Sequence, residues 1–292
     1  MKKILHPTDF STHSIDVLHY ALELAKKFEA KLIVAHAFGR PEFASDGTPK
    51  PIDQAGEMLE VLTNFVNSHK AKKYQSIEIE YIVEVGFPPE TILDIVANEG
   101  ISLVVMGMAS KDDIAKKLFG SVARKVLKRV DCPILLIPTN FRYKKPNKIA
   151  YATNFLFKDI SALSALEKWA SIFGAKIHCL HLAEFDEEIA AAKANMAILE
   201  AGFKNARITD FEVVKGQLVT DTAAYLEKEN IEMVAMLSRK RNLLQRIVEG
   251  SNAQQMAKQT SVPLLVLKGD VFAPTKWETV VDEVEIPLWE RD

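Results

Sequence analysis

Two stretches of the chain combine residue types that could bind a ligand. The first is the acidic residue Asp9, which follows the short apolar run KILH at 3–6. The second runs from Leu103 to Ser121, where an apolar run ends at Gly107, a polar loop follows, and Gly120 begins an amphipathic segment. A helix N-terminus offers unpaired N–H groups and the positive end of a dipole, so phosphate is the obvious candidate for this second stretch.

The sequence lacks two common nucleotide-binding motifs and a metal-binding arrangement of cysteines. No GxGxxG follows the first strand and no GxxxxGK[ST] occurs, so neither a dinucleotide-binding pattern nor a Walker A loop is present. The two cysteines, Cys132 and Cys179, stand alone inside apolar runs, which favours buried free thiols over metal or redox roles.

Strands alternate with helices along the chain, and the strand runs are apolar on both faces. This pattern predicts an α/β fold in which helices cover both sides of a parallel sheet. In such a sheet ligands bind beyond the carboxyl ends of the strands, where the strand order reverses. If the unit is doubly wound, the Asp9 loop and the loop after Gly107 face each other there. A carboxylate opposite a phosphate-binding loop suits a nucleotide.

The pattern occurs twice. His36 and His181 are 145 positions apart, whereas Gly120 and Gly250 are 130 positions apart, so the second copy has lost 15 residues between its second strand and second helix. This duplication predicts a first domain at 1–140, a second domain at 147–268, and an unrelated segment at 269–292. The anion-binding chemistry is altered in the second copy, where Asn154, Leu237 and Lys240 replace Asp9, Gly107 and Ser110.

The composition argues against some classes of protein. The 292 residues are 48% hydrophobic with a net charge of −2, which favours two globular domains over a general nucleic-acid binder. We expect no membrane span and a cytoplasmic location, because no signal-peptide pattern and no long uncharged apolar run occurs. The segment 269–292 is acidic yet carries large apolar side chains that we expect to dock on this chain or a neighbour: Phe272, Trp277, Ile286 and Trp289.

These motifs resemble the universal stress proteins in a tandem, two-domain form. The resemblance covers about residues 1–268 and rests on the PTDFS start, the strand that ends in His36, the GFPPETI segment, and the strand-glycine-loop-GS pattern. The nucleotide-binding branch of that family has a second glycine where this chain has Ser110. The resemblance implies that ATP, with Mg²⁺, binds in domain one only, at Pro7, Thr8, Asp9, Ala37, Met106, Gly107, Ser110, Gly120, Ser121 and Val122.

The resemblance also implies the architecture. It predicts two tandem, doubly wound, parallel five-stranded sheets of the Rossmann-like, adenine nucleotide alpha hydrolase-like type. In single-domain relatives the last strands of two subunits pair, so PILLIP at 133–138 and PLLVLK at 263–268 are expected to pair within this chain as a pseudo-dimer. A homodimer of the whole chain is a further possibility.

Three functions follow from these patterns. The first is a stress-response regulator that binds an adenine nucleotide and is not an enzyme. The second is an assembly or interaction module that has lost the nucleotide. The third, ranked last, is a nucleotide-processing enzyme, since no general base is evident beyond Asp9. Structural alternatives remain for single residues: Asp9 could brace its loop, and His36 and His181 are expected to be duplicated structural residues.

Overall fold

The structure is a computed structural model that describes residues 2–39, 55–108, 120–153, 155, 159–183, 185–202, 208–215, 225–238 and 262–268. Several predicted features lie outside these residues. They are Ser110, Asn154, Lys240, Gly250 and the segment 269–292 with its docking side chains.

Strands and helices alternate in both halves, as the sequence predicts. The N-terminal half contains β1 (Lys3–Pro7), α1 (Thr12–Phe28), β2 (Lys31–Phe38), α2 (Ala55–His69), a 3₁₀ turn (Lys72–Tyr74), β3 (Ile79–Val85), α3 (Pro88–Glu99), β4 (Leu103–Gly107), α4 (Ser121–Arg129) and β5 (Ile134–Ile137). The C-terminal half contains β6 (Lys148–Ala152), α5 (Asp159–Phe173), β7 (Lys176–Ala183), α6 (Asp186–Gly202), β8 (Ile208–Lys215), β9 (Met233–Ser238) and β10 (Leu264–Lys268).

The strands form one continuous ten-stranded sheet in the order β3-β2-β1-β4-β5-β10-β9-β6-β7-β8. Within each half the strands are parallel, and the order reverses beside the first strand of the half, so both halves are doubly wound. The halves meet where β5 and β10 pair antiparallel, with Leu135 opposite Leu265. This pairing confirms the predicted fold class and the predicted pseudo-dimer.

The sheet is buried because helices cover both of its faces. Successive strand residues belong to opposite cores: Leu103 and Val105 face one side, whereas Val104 and Met106 face the other. The first core includes residues of α1 and α5, and the second includes residues of α3 and α4. All four residues of β5 and all five of β10 are buried, which explains why these strands read as continuous apolar runs.

Local signals explain most element boundaries. Ser11 is the N-cap of α1, where its side chain accepts a hydrogen bond from the Ser14 amide, and α3 begins with prolines in its first turn. The apolar pattern from Ile77 to Val83 predicts a strand that starts at Ile77, but β3 begins at Ile79. The reason is that the Ile77 amide donates to the Tyr74 carbonyl in the turn before the strand.

Side-chain contacts also join the N-terminal and C-terminal halves. Phe28 at the end of α1 lies with its ring centroid 4.9 Å from that of Trp169 on α5. Lys268, at the end of β10, is buried, and its Nζ donates to the Leu127 carbonyl near the end of α4 at 2.6 Å. A cation near a helix C-terminus is favourable, so this contact joins the two halves beyond the backbone ladder.

Candidate functional site

A cleft opens in the N-terminal half at the carboxyl ends of β1, β2 and β4, where the strand order reverses. Its empty volume, which includes space open to solvent, is about 770 Å³. Eight of the ten residues predicted to bind a nucleotide line it: Pro7, Thr8, Asp9, Ala37, Met106, Gly107, Gly120 and Val122. Ser121 begins α4 with an exposed side chain and is not a lining residue, and Ser110 lies outside the described residues.

The loop between β1 and α1 forms one wall of the cleft. The Thr8 amide donates to the Ala35 carbonyl at 2.8 Å, which extends the β1–β2 pairing, and Phe10 then takes a positive φ of 58°. Asp9 is exposed, and its Oδ1 accepts hydrogen bonds from the Ser11 amide at 3.0 Å and from the Ser14 hydroxyl at 2.6 Å. Asp9 therefore braces this loop, and its carboxylate is held at the mouth of the cleft.

The opposite wall is built from the end of β4 and the start of α4. The Met108 amide donates to the Ile137 carbonyl at 2.9 Å, and the Gly120 amide donates to the Met108 carbonyl at 2.7 Å. Gly120 is the N-cap of α4, with no side chain to cap the first amides of the helix. Gly107 and the first turn of α4 are thus brought to the same place, and the N-terminus of α4 faces the region where an anion would lie.

Two buried histidines beside the cleft were missed by the sequence interpretation. The ring of His6 on β1 is 1% exposed, and its Nδ1 lies 3.2 Å from the Val105 carbonyl. Burial lowers the pKa of His6 to about 4. His13 lines the cleft, its Nε2 lies 3.2 Å from the Ile137 carbonyl, and burial lowers its pKa as well. Their positions either side of the PTDFS segment were the available signal.

The other pair of histidines makes matching contacts in the two halves, and His36 is also a lining residue of the cleft. The Nδ1 of His36 lies 2.8 Å from the Thr8 carbonyl, and the Nδ1 of His181 lies 2.8 Å from the Thr153 carbonyl. The same contact therefore holds the first loop of each half to its second strand.

The matching positions of the C-terminal half carry larger side chains. Leu180 and Leu182 stand at the positions of Ala35 and Ala37, and Leu237 replaces Gly107. Leu180 and Leu237 are buried. The sequence interpretation recognised Leu237 but missed the two leucines on β7, because alanine and leucine serve equally well in a buried strand pattern.

The C-terminal half has a buried acidic residue, whereas Asp9 in the N-terminal half is exposed. Asp159, at the position that Ser14 holds in the first half, is 2% exposed. Its carboxylate accepts hydrogen bonds from the Tyr151 hydroxyl at 2.9 Å and from the Thr153 hydroxyl at 2.7 Å. The Asp159 carboxylate therefore links buried side chains of the C-terminal half, whereas the exposed Asp9 lies at the mouth of the cleft.

Metal and membrane roles have no direct support in the described part of the chain. No group of three or more His, Cys, Asp or Glu residues there could hold a metal ion. Cys132 and Cys179 are both buried free thiols, as predicted. Within the same residues no helix is both long and apolar enough to cross a bilayer.

Comparison with known proteins agrees with the family resemblance of the sequence motifs. The model of the universal stress protein family matches residues 1–138 and 158–268. Universal stress protein MJ0531 of Methanocaldococcus jannaschii is 28% identical over 153 residues, which are 50% of this chain and 84% of that protein.

Solved structures agree on the fold. A universal stress protein from Archaeoglobus fulgidus overlays 91% of this chain and 96% of its own, with a TM-score of 0.64 and 22% identity, which bears on the fold alone. Another structure from the same organism, a complex with dAMP, covers 47% of this chain and 97% of its own, with 24% identity and a TM-score of 0.34. The dAMP is a ligand of that protein.

Proposed function

Because the chain belongs to the universal stress protein family, we propose that its N-terminal half binds an adenine nucleotide, ATP in particular, as a regulatory ligand. The observation that carries this proposal is the cleft at the reversal of strand order, with Asp9 on one wall and the N-terminus of α4 on the other. Ligands of doubly wound sheets bind at this place.

Different parts of the cleft suit different parts of a nucleotide. Gly107 and the uncapped first turn of α4 suit the phosphates, because backbone N–H groups and the helix dipole favour anions. The Asp9 carboxylate can accept hydrogen bonds from ribose hydroxyls. Ile92, Ile95 and the Ala35 methyl give the cleft an apolar part for the base.

Magnesium would reach this site with the phosphates. Asp9 is the one carboxylate among the described residues that line the cleft, which is too few for a dedicated metal site of the protein alone. Mg²⁺ is commonly held by one or two carboxylates together with substrate phosphates and water, so the residues fit this mode of binding.

One nucleotide per chain is expected. In the C-terminal half Leu182 replaces Ala37 and Leu237 replaces Gly107, and these larger side chains would narrow the space for a base or a phosphate. The proposed role is a ligand-dependent regulator rather than an enzyme, because the Asp9 carboxylate is already engaged in bracing its loop. We also propose a cytoplasmic location.

The test exchanges single residues between the halves. Native mass spectrometry and calorimetry with ATP and Mg²⁺ should give one nucleotide per chain for the wild type. Ala37→Leu, which copies the C-terminal half, should lose most of the binding, whereas the matched control Leu182→Ala should keep it. At a ligand concentration a hundredfold above Kd, the wild type should gain about 2.7 kcal/mol in the free energy of unfolding.

Two results would contradict the proposal. If the wild type binds no nucleotide at any concentration, the interaction-module hypothesis is favoured. If Ala37→Leu binds as tightly as the wild type, the site lies elsewhere. Steady conversion of ATP to ADP that disappears in Asp9→Ala would instead support an enzyme.

A further inference from the structure

Unpartnered nitrogens of buried histidines are concentrated beside the cleft. Among the described residues, three buried side-chain nitrogens or oxygens have no hydrogen-bond partner, and two of these are Nε2 of His6 and Nδ1 of His13. His13 is 7% exposed and lines the cleft, whereas His6 is not a lining residue. His13 is therefore the histidine of this pair that a bound ligand would influence most.

The protonation state of His13 follows from its one hydrogen bond. Its Nε2 lies 3.2 Å from the Ile137 carbonyl, which can only accept, so Nε2 carries the proton. Burial lowers the pKa of His13, which keeps the ring neutral at pH 7. In the neutral ring Nδ1 then holds a lone pair and can only accept a hydrogen bond.

His13 lies on the side of the cleft proposed for the phosphates. The Ile137 carbonyl that accepts from His13 also accepts from the Met108 amide, and the Met108 carbonyl accepts from Gly120. Phosphate oxygens carry negative charge, so a neutral ring in the lining of the cleft gains nothing from them. Protonation at Nδ1 would give the ring a positive charge, which is favourable near a polyphosphate.

We propose that His13 takes up one proton when a nucleotide polyphosphate binds in the cleft, so that the nucleotide binds more tightly as the pH falls. This inference rests on the proposed function and adds pH control to the same site. The C-terminal half has Lys158 at the matching position, so the property belongs to the first half alone.

The other charged groups around His13 do not provide this response by themselves. Asp9 on the preceding loop and Asp16 on α1 both favour the protonated ring, and burial outweighs them in the free protein. His6 on β1 is the third titratable group that interacts with His13. The lining residues from β4 and α4, such as Gly107, Val122 and Ala123, carry no charge. The negative charge of a bound ligand is therefore needed to favour the protonated ring of His13 over the neutral ring.

The experiment measures protons taken up on binding. Calorimetric titration with ATP and Mg²⁺ is repeated in two buffers of different ionisation heat, between about pH 6.5 and pH 8. The variant is His13→Gln, whose amide can still donate to the Ile137 carbonyl but does not titrate. His19→Gln is the control, because His19 lies on the same helix and contacts the His69 carbonyl, away from the cleft.

The wild type and His19→Gln should take up nearly one proton more than His13→Gln. Their affinity should rise by up to about tenfold for each unit of pH lowered, while that of His13→Gln changes less. The nucleotide's own phosphate titration is common to all variants and cancels in the comparison. Equal proton uptake in the wild type and His13→Gln would overturn the inference while leaving the proposed function intact.

Two further observations cover the remaining outcomes. If uptake is lost in His6→Asn but kept in His13→Gln, the proton belongs to His6 and the inference is wrong. If His13→Gln does not fold, nitrogen NMR of the wild type decides: at pH 7 the His13 Nδ1 resonance should change from the unprotonated to the protonated range when ATP is added. An unchanged resonance in the complex refutes the inference, and absence of any complex refutes it together with the proposed function.

Discussion

Replacing Asp159 with alanine should strongly destabilise the chain without removing nucleotide binding. Asp159 is 2% exposed, and its two carboxylate oxygens accept hydrogen bonds from the hydroxyls of Tyr151 and Thr153. Tyr151 is itself fully buried at 0% exposure, and Thr153 is 4% exposed. Removing the carboxylate leaves two buried hydroxyl donors without this acceptor.

The expected magnitude follows from these contacts. A hydrogen bond to a charged group contributes about 1.5–3 kcal/mol, and an abandoned buried donor costs about 1–3 kcal/mol. Relief of the buried charge offsets part of the loss. We therefore expect Asp159→Ala to lower the free energy of unfolding by about 3–5 kcal/mol. Asp159→Asn keeps one acceptor oxygen and should cost about half as much.

Urea denaturation with fluorescence detection measures both variants against the wild type. Because Asp159 lies in the half proposed to bind no nucleotide, the folded Asp159→Asn protein should bind ATP with unchanged stoichiometry. The reasoning is refuted if Asp159→Ala costs less than about 1 kcal/mol, or if Asp159→Asn abolishes ATP binding.

Two further predictions concern buried titratable groups. Burial lowers the pKa of His6 from 6.5 to about 4, so between these values the unfolded chain binds a proton that the folded chain does not. The free energy of unfolding should therefore fall by about 3 kcal/mol as the pH is lowered through this window. His6→Asn, which keeps an N–H for the Val105 carbonyl, should reduce the fall in urea titrations at pH 7 and pH 4.5, and an equally steep fall would contradict this. Burial also raises the pKa of Cys132 to about 11 and raises that of Cys179. Both thiols should resist iodoacetamide at pH 8 in the folded protein and react in guanidinium, and rapid native labelling of either would be inconsistent with the structure.

Much of the cleft could be predicted from the chain because its walls are local segments. The Asp9 loop and the Gly107 to Gly120 interval each follow a strand directly, and a doubly wound sheet brings these two places together whatever the loop sequences are. The binding of a nucleotide at these residues stays a prediction, as does the division into domains at 1–140 and 147–268.

The histidines could not be predicted in the same way. His6 and His13 are close to Asp9 in sequence, but their partners are the carbonyls of Val105 and Ile137, which are 99 and 124 positions away. Nothing in a local pattern distinguishes a buried histidine with one unpartnered nitrogen from an exposed one.

The sequence by itself determined the α/β class, the duplication, and the segments that supply the cleft. Periodicity and the spacing of glycines are properties of neighbouring residues, so they can be read without knowing the fold. Only the tertiary structure decided which side chains line the cleft of the first half and which acidic residue is buried in the second. Leu180 and Asp159 are buried in the second half, and the cleft of the first half is lined by residues as far apart in the chain as Pro7 and Ala123. Packing of this kind depends on the shape of the space between elements, and a pattern along one segment does not record that shape.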